Sequence, residues 1–437
     1  MWGTLVLTCT GLLSRLMGFF YRIFLSRSIG AQGLGIYQLA VPVQGIVLAV
    51  TASGIQSAIS RLCASCIAVG KEKKAGEFLV LGTAVSFILS ALVSVFLYKN
   101  AAFFAIEILK EKQTLPLIRL LCFSFPLSAV HTCINSYYFA RKRTEFPSAV
   151  QLLEQTVRVG GCYVLYLIFL SEGKAITPVI AVGGTLASEA AASLTSMLAV
   201  SLHFQKTKAS LFPFTSPASD LKELGQMAFP LSLNRLLLTI LSGIETILIP
   251  QMLLAFGHSS QEALSIYGIF TGMALPLLFF PSTIIHSASA LLLPSVAELQ
   301  ALGYQKRIRY VINQVSRYCL LLGTSCTCLF FFFGKPLGHF LFNSTMAGSF
   351  IRTMSFLCPF LYLNITFSSI LGGLGRPGLC LLHSLASICI RICFVIFAIP
   401  VMGIQGYLYG ILLSELILTL LNIRFFAFSK SSGAGKT

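Results

Sequence analysis

The stretch from Glu77 to Tyr98, EFLVLGTAVSFILSALVSVFLY, carries a single charge, at its first residue. A helix of that length, rising about 1.5 Å per residue, crosses a hydrocarbon layer of about 30 Å. Similar stretches recur along the chain and predict spans over 3–25, 34–62, 77–98, 117–140, 148–170, 177–202, 226–250, 266–293, 311–333, 350–371, 379–399 and 404–427. The composition agrees: of 437 residues 56% are hydrophobic and 10% charged, with a mean hydropathy of +0.85, whereas a soluble protein carries roughly 25% charged residues. Fourteen acidic residues cannot cover a water-facing surface of this size. The expected fold is an all-α polytopic membrane protein of about 12 transmembrane helices.

The net charge of +17 is topological and gives no footprint for nucleic acid, because Lys and Arg do not cluster with aromatics on a soluble module. Seventeen basic residues, in groups that include Lys71 to Lys74, Arg141 to Arg143, Lys206 to Lys222 and Lys306 to Arg309, fall on one side. Six (Arg27, Lys99, Lys110, Lys112, Lys174 and Lys335) fall on the other. The positive-inside rule then places both termini in the cytoplasm. No basic region precedes Leu5 to Leu13 and no small-residue cleavage site follows, so this segment reads as a retained first helix. The cysteines, nearly all inside spans, read as small packing residues. Cys63 and Cys66 form a CxxC, but no second pair or histidine cluster completes a zinc site. The terminal Gly433 to Thr437, GAGKT, imitates a phosphate loop, but its first glycine position holds Lys430.

The chain repeats itself. An offset of 233 superposes Gly70 on Gly303, Arg119 on Arg352, Pro126 on Pro359, Arg143 on Arg376 and Arg158 on Arg391. Upstream the offset drifts to about 230, matching Tyr37 to Tyr267, and to 220, matching Ser14-Arg15-Leu16 to Asn234-Arg235-Leu236; downstream Ser188-Glu189 meets Ser414-Glu415 at 226. Six spans per half return each half to its starting side, so the halves are related by an axis along the membrane normal. The expected domains are an N-lobe over 1–202, a connector over 203–224 rich in Ser, Pro and Lys, and a C-lobe over 225–437. Two six-helix lobes facing each other is a transporter's architecture, able to open a central site alternately to each side.

A charge at the bilayer centre costs about 2.5 to 3.5 kcal/mol or more, so each needs a partner or a wet cavity. Arg15 and Arg22 lie two helical turns apart on span 1, beside Gly11, Ser14 and Gly18. That narrow polar face reads as a wall offering guanidinium forks to an anion. Arg22, about 28 Å along its helix, alternatively snorkels to the outer interface. Arg235, matched to Arg15 by the repeat, is the third candidate for substrate binding. Glu245 on the same span reads either as a counter-charge or as the ligand of a coupling cation. Arg158 with Glu189, and Arg391 with Glu415, are expected as interhelical ion pairs within each lobe, Glu154 sharing the first. Pro42, Pro126, Pro230, Pro276, Pro281 and Pro359 are expected to bend or interrupt helices.

Residues 11–39, GLLSRLMGFFYRIFLSRSIGAQGLGIYQL, resemble the first helix and loop of the stage V sporulation protein B family. That family lies in the oligosaccharide flippase branch of the multidrug, oligosaccharidyl-lipid and polysaccharide (MOP) exporter superfamily. Leu153-Glu154-Gln155 with Arg158, Phe280-Pro281-Ser282 through Pro294-Ser295-Val296 with Glu298, and Leu371 to Gly378, LGGLGRPG, resemble further signatures of it. The resemblance implies a MATE-like carrier of twelve or fourteen helices in the cytoplasmic membrane. Its cargo would be a polyprenyl-diphosphate-linked oligosaccharide or peptidoglycan precursor, with Arg15 and Arg22 meeting the diphosphate. Where lipid II flippases carry basic residues on the second and eighth spans, this chain has Gln44, Gln56 and His286, which implies a less basic cavity.

The alternative of the same fold is a cation-coupled drug exporter. It is disfavoured because exporters of that kind use a carboxylate in a lobe core, and the chain's one Asp, Asp220, lies in the connector. A membrane glycosyltransferase is disfavoured because the short loops offer no acidic metal-binding pair or general base. No catalytic residue, metal or cofactor is therefore expected. The partners expected are membrane lipids and an anionic lipid-linked substrate, the protein acting as a monomer.

Overall fold

The structure is a computed structural model and describes residues 2–207 and 217–432. These residues are almost wholly helical and contain no strand. The order is α1 (Trp2–Ser28), α2 (Gly30–Leu48), α3 (Gly54–Ala68), α4 (Glu72–Lys99), α5 (Ala101–Phe103), α6 (Leu115–Ala140), α7 (Glu145–Ser171), α8 (Val179–Thr207), α9 (Pro217–Phe256) and α10 (Ser260–Gly268). It continues through α11 (Leu275–Phe279), α12 (Ser282–Ala301), α13 (Gln305–Phe342), α14 (Thr345–Met354), α15 (Cys358–Gly373), α16 (Pro377–Phe397), α17 (Ile399–Met402) and α18 (Ile404–Ser432). Among the described residues twelve segments are long and apolar enough to cross a membrane, from Gly30–Ala68 to Ile404–Phe426; the expected span over 3–25, in α1, is not among them. The chain divides into two compact units, Met1–Gly243 and Ile244–Thr437, the division falling inside α9. Helix continues into both ends of the expected connector; residues 208–216 between them, and the GAGKT tail, lie outside the described residues.

The repeat recurs in the backbone. Three pairs of residues with left-handed φ stand at an offset of 233: Gly70 (φ 74°) with Gly303 (73°), Lys110 (54°) with Asn343 (51°), and Lys142 (58°) with Gly375 (72°). Each pair closes the same turn. Lys71 N–H donates to Cys66 O at 2.9 Å as Tyr304 N–H does to Leu299 O at 2.9 Å, and Arg143 to Tyr138 O at 3.0 Å as Arg376 to Leu371 O at 3.0 Å. A residue in this conformation releases the last helical carbonyls to the following amides and so stops the helix.

Two π turns also repeat. Ala49–Ser53 joins α2 to α3, and Ile269–Ala274 joins α10 to α11. In the first, Thr51 Oγ1 donates to Val47 O at 2.8 Å; in the second, Thr271 Oγ1 donates to Tyr267 O at 2.7 Å. The turns therefore stand at the offset of 220, which pairs Tyr267 with Val47. The match of Tyr37 to Tyr267 at 230 is not the one the fold uses.

The predicted single span over 266–293 is met by two spanning-length segments, Ser260–Phe279 and Ser282–Ala301. Pro281 has no amide hydrogen to donate to the Leu277 carbonyl, which accepts from Phe280 N–H at 3.3 Å instead, and Ser282 Oγ donates to the Phe279 carbonyl at 2.6 Å. Pro276 and Pro359 likewise stand in the first turns of α11 and α15, while Pro42 and Pro126 remain inside α2 and α6.

Candidate functional site

In the second unit Glu245, Arg391 and Glu415 form one connected network. Helices α16 and α18 approach closely because Gly410 faces Phe394, where an added Cβ would lie 2.5 Å from Phe394 Cβ. This contact sets Arg391 of α16 between α18 and the end of α9. Its Nε and Nη2 donate to Glu245 Oε1 and Oε2 at 2.8 and 3.1 Å, a two-pronged fork. Tyr407 donates its hydroxyl to the same Oε1 at 2.8 Å. Arg391 Nη1 lies 4.0 Å from Glu415 Oε1, whose other oxygen accepts from Asn364 Nδ2 at 2.7 Å. Thr419 donates to Asn364 Oδ1 at 3.0 Å, and Asn422 links the amide of Asn364 to His383, with Nδ1 to Oδ1 at 2.9 Å. Glu415 is thus a secondary partner of Arg391 and Glu245 the principal one. Both oxygens of Glu245 are engaged by this chain's own donors.

The first unit is built on the same plan with different partners. Gly184, matched to Gly410 at the offset of 226, lets α8 approach α7 so closely that an added Cβ would lie 2.7 Å from the Arg158 carbonyl oxygen. The expected pair of Arg158 with Glu189 is absent. Arg158 Nη2 bonds instead to Glu154, one turn back on its own helix, and Glu189 lies 3.0 Å from His131 Nε2 of α6. The reason is geometric: residues four apart on a helix already lie side by side, and the rotation of α8 aims Glu189 at α6. Arg158 remains within electrostatic reach of Glu189, Tyr21 and Tyr37.

The three candidate substrate arginines all belong to the first unit. Arg15 is exposed on α1 and Arg235 exposed on α9, whereas Arg22 is half-buried. Helix α1 rests on α7, with Gly18 against the Gln155 side chain and Phe24 edge-on to Tyr163 and Tyr166. Ser14 and Tyr21 are buried beside the arginines. Cys63 and Cys66 are buried thiols, the first donating to Ala75 O at 3.3 Å.

Reading the charges alone missed His131, Asn364, Tyr407, His383 and Asn422. Two of them carried a signal: the offset of 233 that joins Arg158 to Arg391 also joins His131 to Asn364, and each contacts the carboxylate that the offset of 226 matches.

The polysaccharide biosynthesis protein family matches residues 1–300 of this chain. Over 428 residues the chain is 28% identical to stage V sporulation protein B of Bacillus subtilis (strain 168), covering 96% of this chain and 82% of that protein. It is 23% identical over 343 residues to the Lipid II flippase MurJ of the same bacterium, covering 73% and 62%. Among solved structures it resembles the inward-facing conformation of a multidrug resistance MATE family transporter of the MOP superfamily, with a TM-score of 0.78, 15% identity and coverage of 99% and 100%. It also resembles a MOP superfamily transporter from Pyrococcus furiosus, with a TM-score of 0.71, 14% identity and coverage of 100% and 96%. At these identities the structures establish the fold alone, a MATE-like helical bundle; the twelve apolar segments together with the relatives matched by sequence make this a multi-pass protein of the cell membrane. The chain belongs to the polysaccharide biosynthesis protein family.

Proposed function

We propose that the protein is an alternating-access flippase that moves a polyprenyl-diphosphate-linked oligosaccharide or peptidoglycan precursor outward across the cytoplasmic membrane, with both termini cytoplasmic. One observation carries the reading. Arg15 and Arg235, equivalent by the repeat, stand exposed on α1 and α9, whereas the Arg158 and Arg391 side chains are only 24% and 21% exposed. Two guanidinium groups kept in these helices at a cost of about 2.5 to 3.5 kcal/mol each suit a cargo with two phosphates, since each fork binds a pair of phosphate oxygens. Arg22, one helical face along from Arg15, extends the same surface. The name of the relative MurJ, a lipid II flippase, supports the substrate class.

The membrane potential can drive the export. With the inside negative, each negative charge moved out across 100 mV gains about 2.3 kcal/mol. The chain makes and breaks no bond of its cargo, needs no cofactor, and works as a monomer in contact with membrane lipids.

Reconstitution tests this against the exporter reading. In vesicles, the protein exposes labelled lipid-linked sugar on the far leaflet; transport of cationic dyes under an ion gradient, with no exposure of the sugar lipid, overturns the proposal.

A further inference from the structure

The two units treat equivalent carboxylates differently. In the second, Glu415 is met by the Asn364 amide at 2.7 Å and the Arg391 guanidinium at 4.0 Å. An asparagine takes up no proton, and the excess negative charge of Glu245 and Glu415 over Arg391 is answered by fixed donors, including Tyr407. In the first, Glu189 has no arginine salt bridge, because Arg158 is held by Glu154. Its close partner is His131, which stands where the second unit has Asn364. The side chains of both His131 and Glu189 are 5% exposed.

Charge counting then singles out this pair. From the elements packed on α6 and α8, the charged groups that reach Glu189 are Glu154 and Arg158 of α7, with a hydroxyl from Ser128 of α6. Tyr21 and Tyr37 also face Arg158, each with a hydroxyl. Arg158 and Glu154 cancel, so with a neutral imidazole the group holds one uncompensated negative charge in the membrane interior. Burying an unpaired charge is costly. The local geometry also leaves room for a hydrogen: Nε2 and Oε2 are 3.0 Å apart, yet Glu189 Oε2 and His131 Nδ1 are each buried without an aligned hydrogen-bond partner.

We infer that Glu189 and His131 form a proton-binding site in the first unit, loaded with one proton in one state of the carrier and emptied in another. The proton comes from water and returns to it; on binding it brings the four-residue group to neutrality, shared between imidazole and carboxylate. Proton binding stands on the geometry alone. That it serves to reset the empty carrier rests on the flippase reading.

The test uses the full chain reconstituted in lipid. Infrared difference spectra across a pH jump are recorded for the wild type, Glu189→Gln and His131→Asn. His131→Asn rebuilds the asparagine–glutamate contact that the second unit already uses, so it tests chemistry without depending on a foreign packing. The expected result is a titrating carboxyl and imidazole signal in the wild type, absent from Glu189→Gln and lacking its imidazole part in His131→Asn. An identical difference spectrum in the wild type and Glu189→Gln overturns the site, as does a spectrum that responds to sodium at fixed pH and not to protons. Flipping of labelled lipid-linked sugar is then followed with and without a pH gradient. The wild type is expected to respond several-fold and His131→Asn to lose that response. A titrating pair with gradient-independent flipping overturns the coupling. Absence of any lipid movement overturns the flippase reading, and the infrared result still decides the proton site.

Discussion

Replacing Arg391 by Met removes a guanidinium that makes two hydrogen bonds of 2.8 and 3.1 Å to Glu245 and stands 4.0 Å from Glu415. The Arg391 side chain is 21% exposed and that of Glu245 7%, so solvent cannot take over the lost partner. Breaking a buried pair from one side costs about 3–5 kcal/mol, a drop of roughly a hundred-fold to several thousand-fold in the folded-to-unfolded ratio. Glu245→Gln leaves Arg391 with Glu415 still near it and is expected to cost less, about 1–3 kcal/mol. In the double variant no unpaired charge remains between α9 and α16, so it should be more stable than Arg391→Met alone. The exposed Lys110–Glu107 pair, 53% and 58% exposed, provides an internal control, since surface pairs contribute about 0–1 kcal/mol. Equilibrium unfolding in mixed micelles, titrated with a denaturing detergent, measures all of these. If the two single effects simply add, within about 0.5 kcal/mol, the fork is not a coupled unit and the reasoning is refuted.

Other consequences follow from the packing. Gly338→Ala should cost about 1–3 kcal/mol, because its Cβ would lie 2.2 Å from the Gly348 amide nitrogen, whereas Gly225→Ala meets nothing within 4 Å and should stabilise its helix by about 1 kcal/mol; thermal unfolding of the two variants separates them. Lys142 and Gly375 occupy the same left-handed position in the two halves, so Lys142→Gly should gain about 0.5–1 kcal/mol and Gly375→Ala lose about 1–2 kcal/mol in the same assay. Ser86 donates to the Thr51 carbonyl in the first π turn at 2.6 Å. Ser86→Ala leaves that buried acceptor short of a donor and should cost about 1–3 kcal/mol, with faster amide exchange confined to residues near 51 as its signature.

Hydropathy and the internal repeat made the membrane class and the repeated helix stops readable. Gly70 with Gly303 and Arg143 with Arg376 were visible as letters and proved to be the same helix stops. What sequence could not supply was helix rotation. Arg158 and Glu189 sit at compatible depths, and depth is all a hydropathy pattern reports; whether Glu189 faces α7 or α6 is set by the Gly184 contact with Arg158. Glu245 was ambiguous for the same reason, since its partner comes from a helix 146 residues later. His131 gave no signal alone because a single histidine in an apolar run is unremarkable; its meaning comes from standing 3.0 Å from a carboxylate. The break at Pro281 was visible, but hydropathy windows averaged across it and merged two segments into one span.

The exposed guanidinium groups on α1 and α9 are where the functional account is most directly tested. Binding of a short-chain polyprenyl diphosphate and of the matching monophosphate to the purified full chain can be measured for the wild type, Arg15→Ala and Arg235→Ala, with Arg15→Lys and Arg235→Lys as charge-preserving controls. The account predicts preference for the diphosphate in the wild type, at least a ten-fold loss in each Ala variant, about 1.4 kcal/mol, and partial recovery with Lys. Equal affinity for both lipids, untouched by removing either arginine, would contradict it.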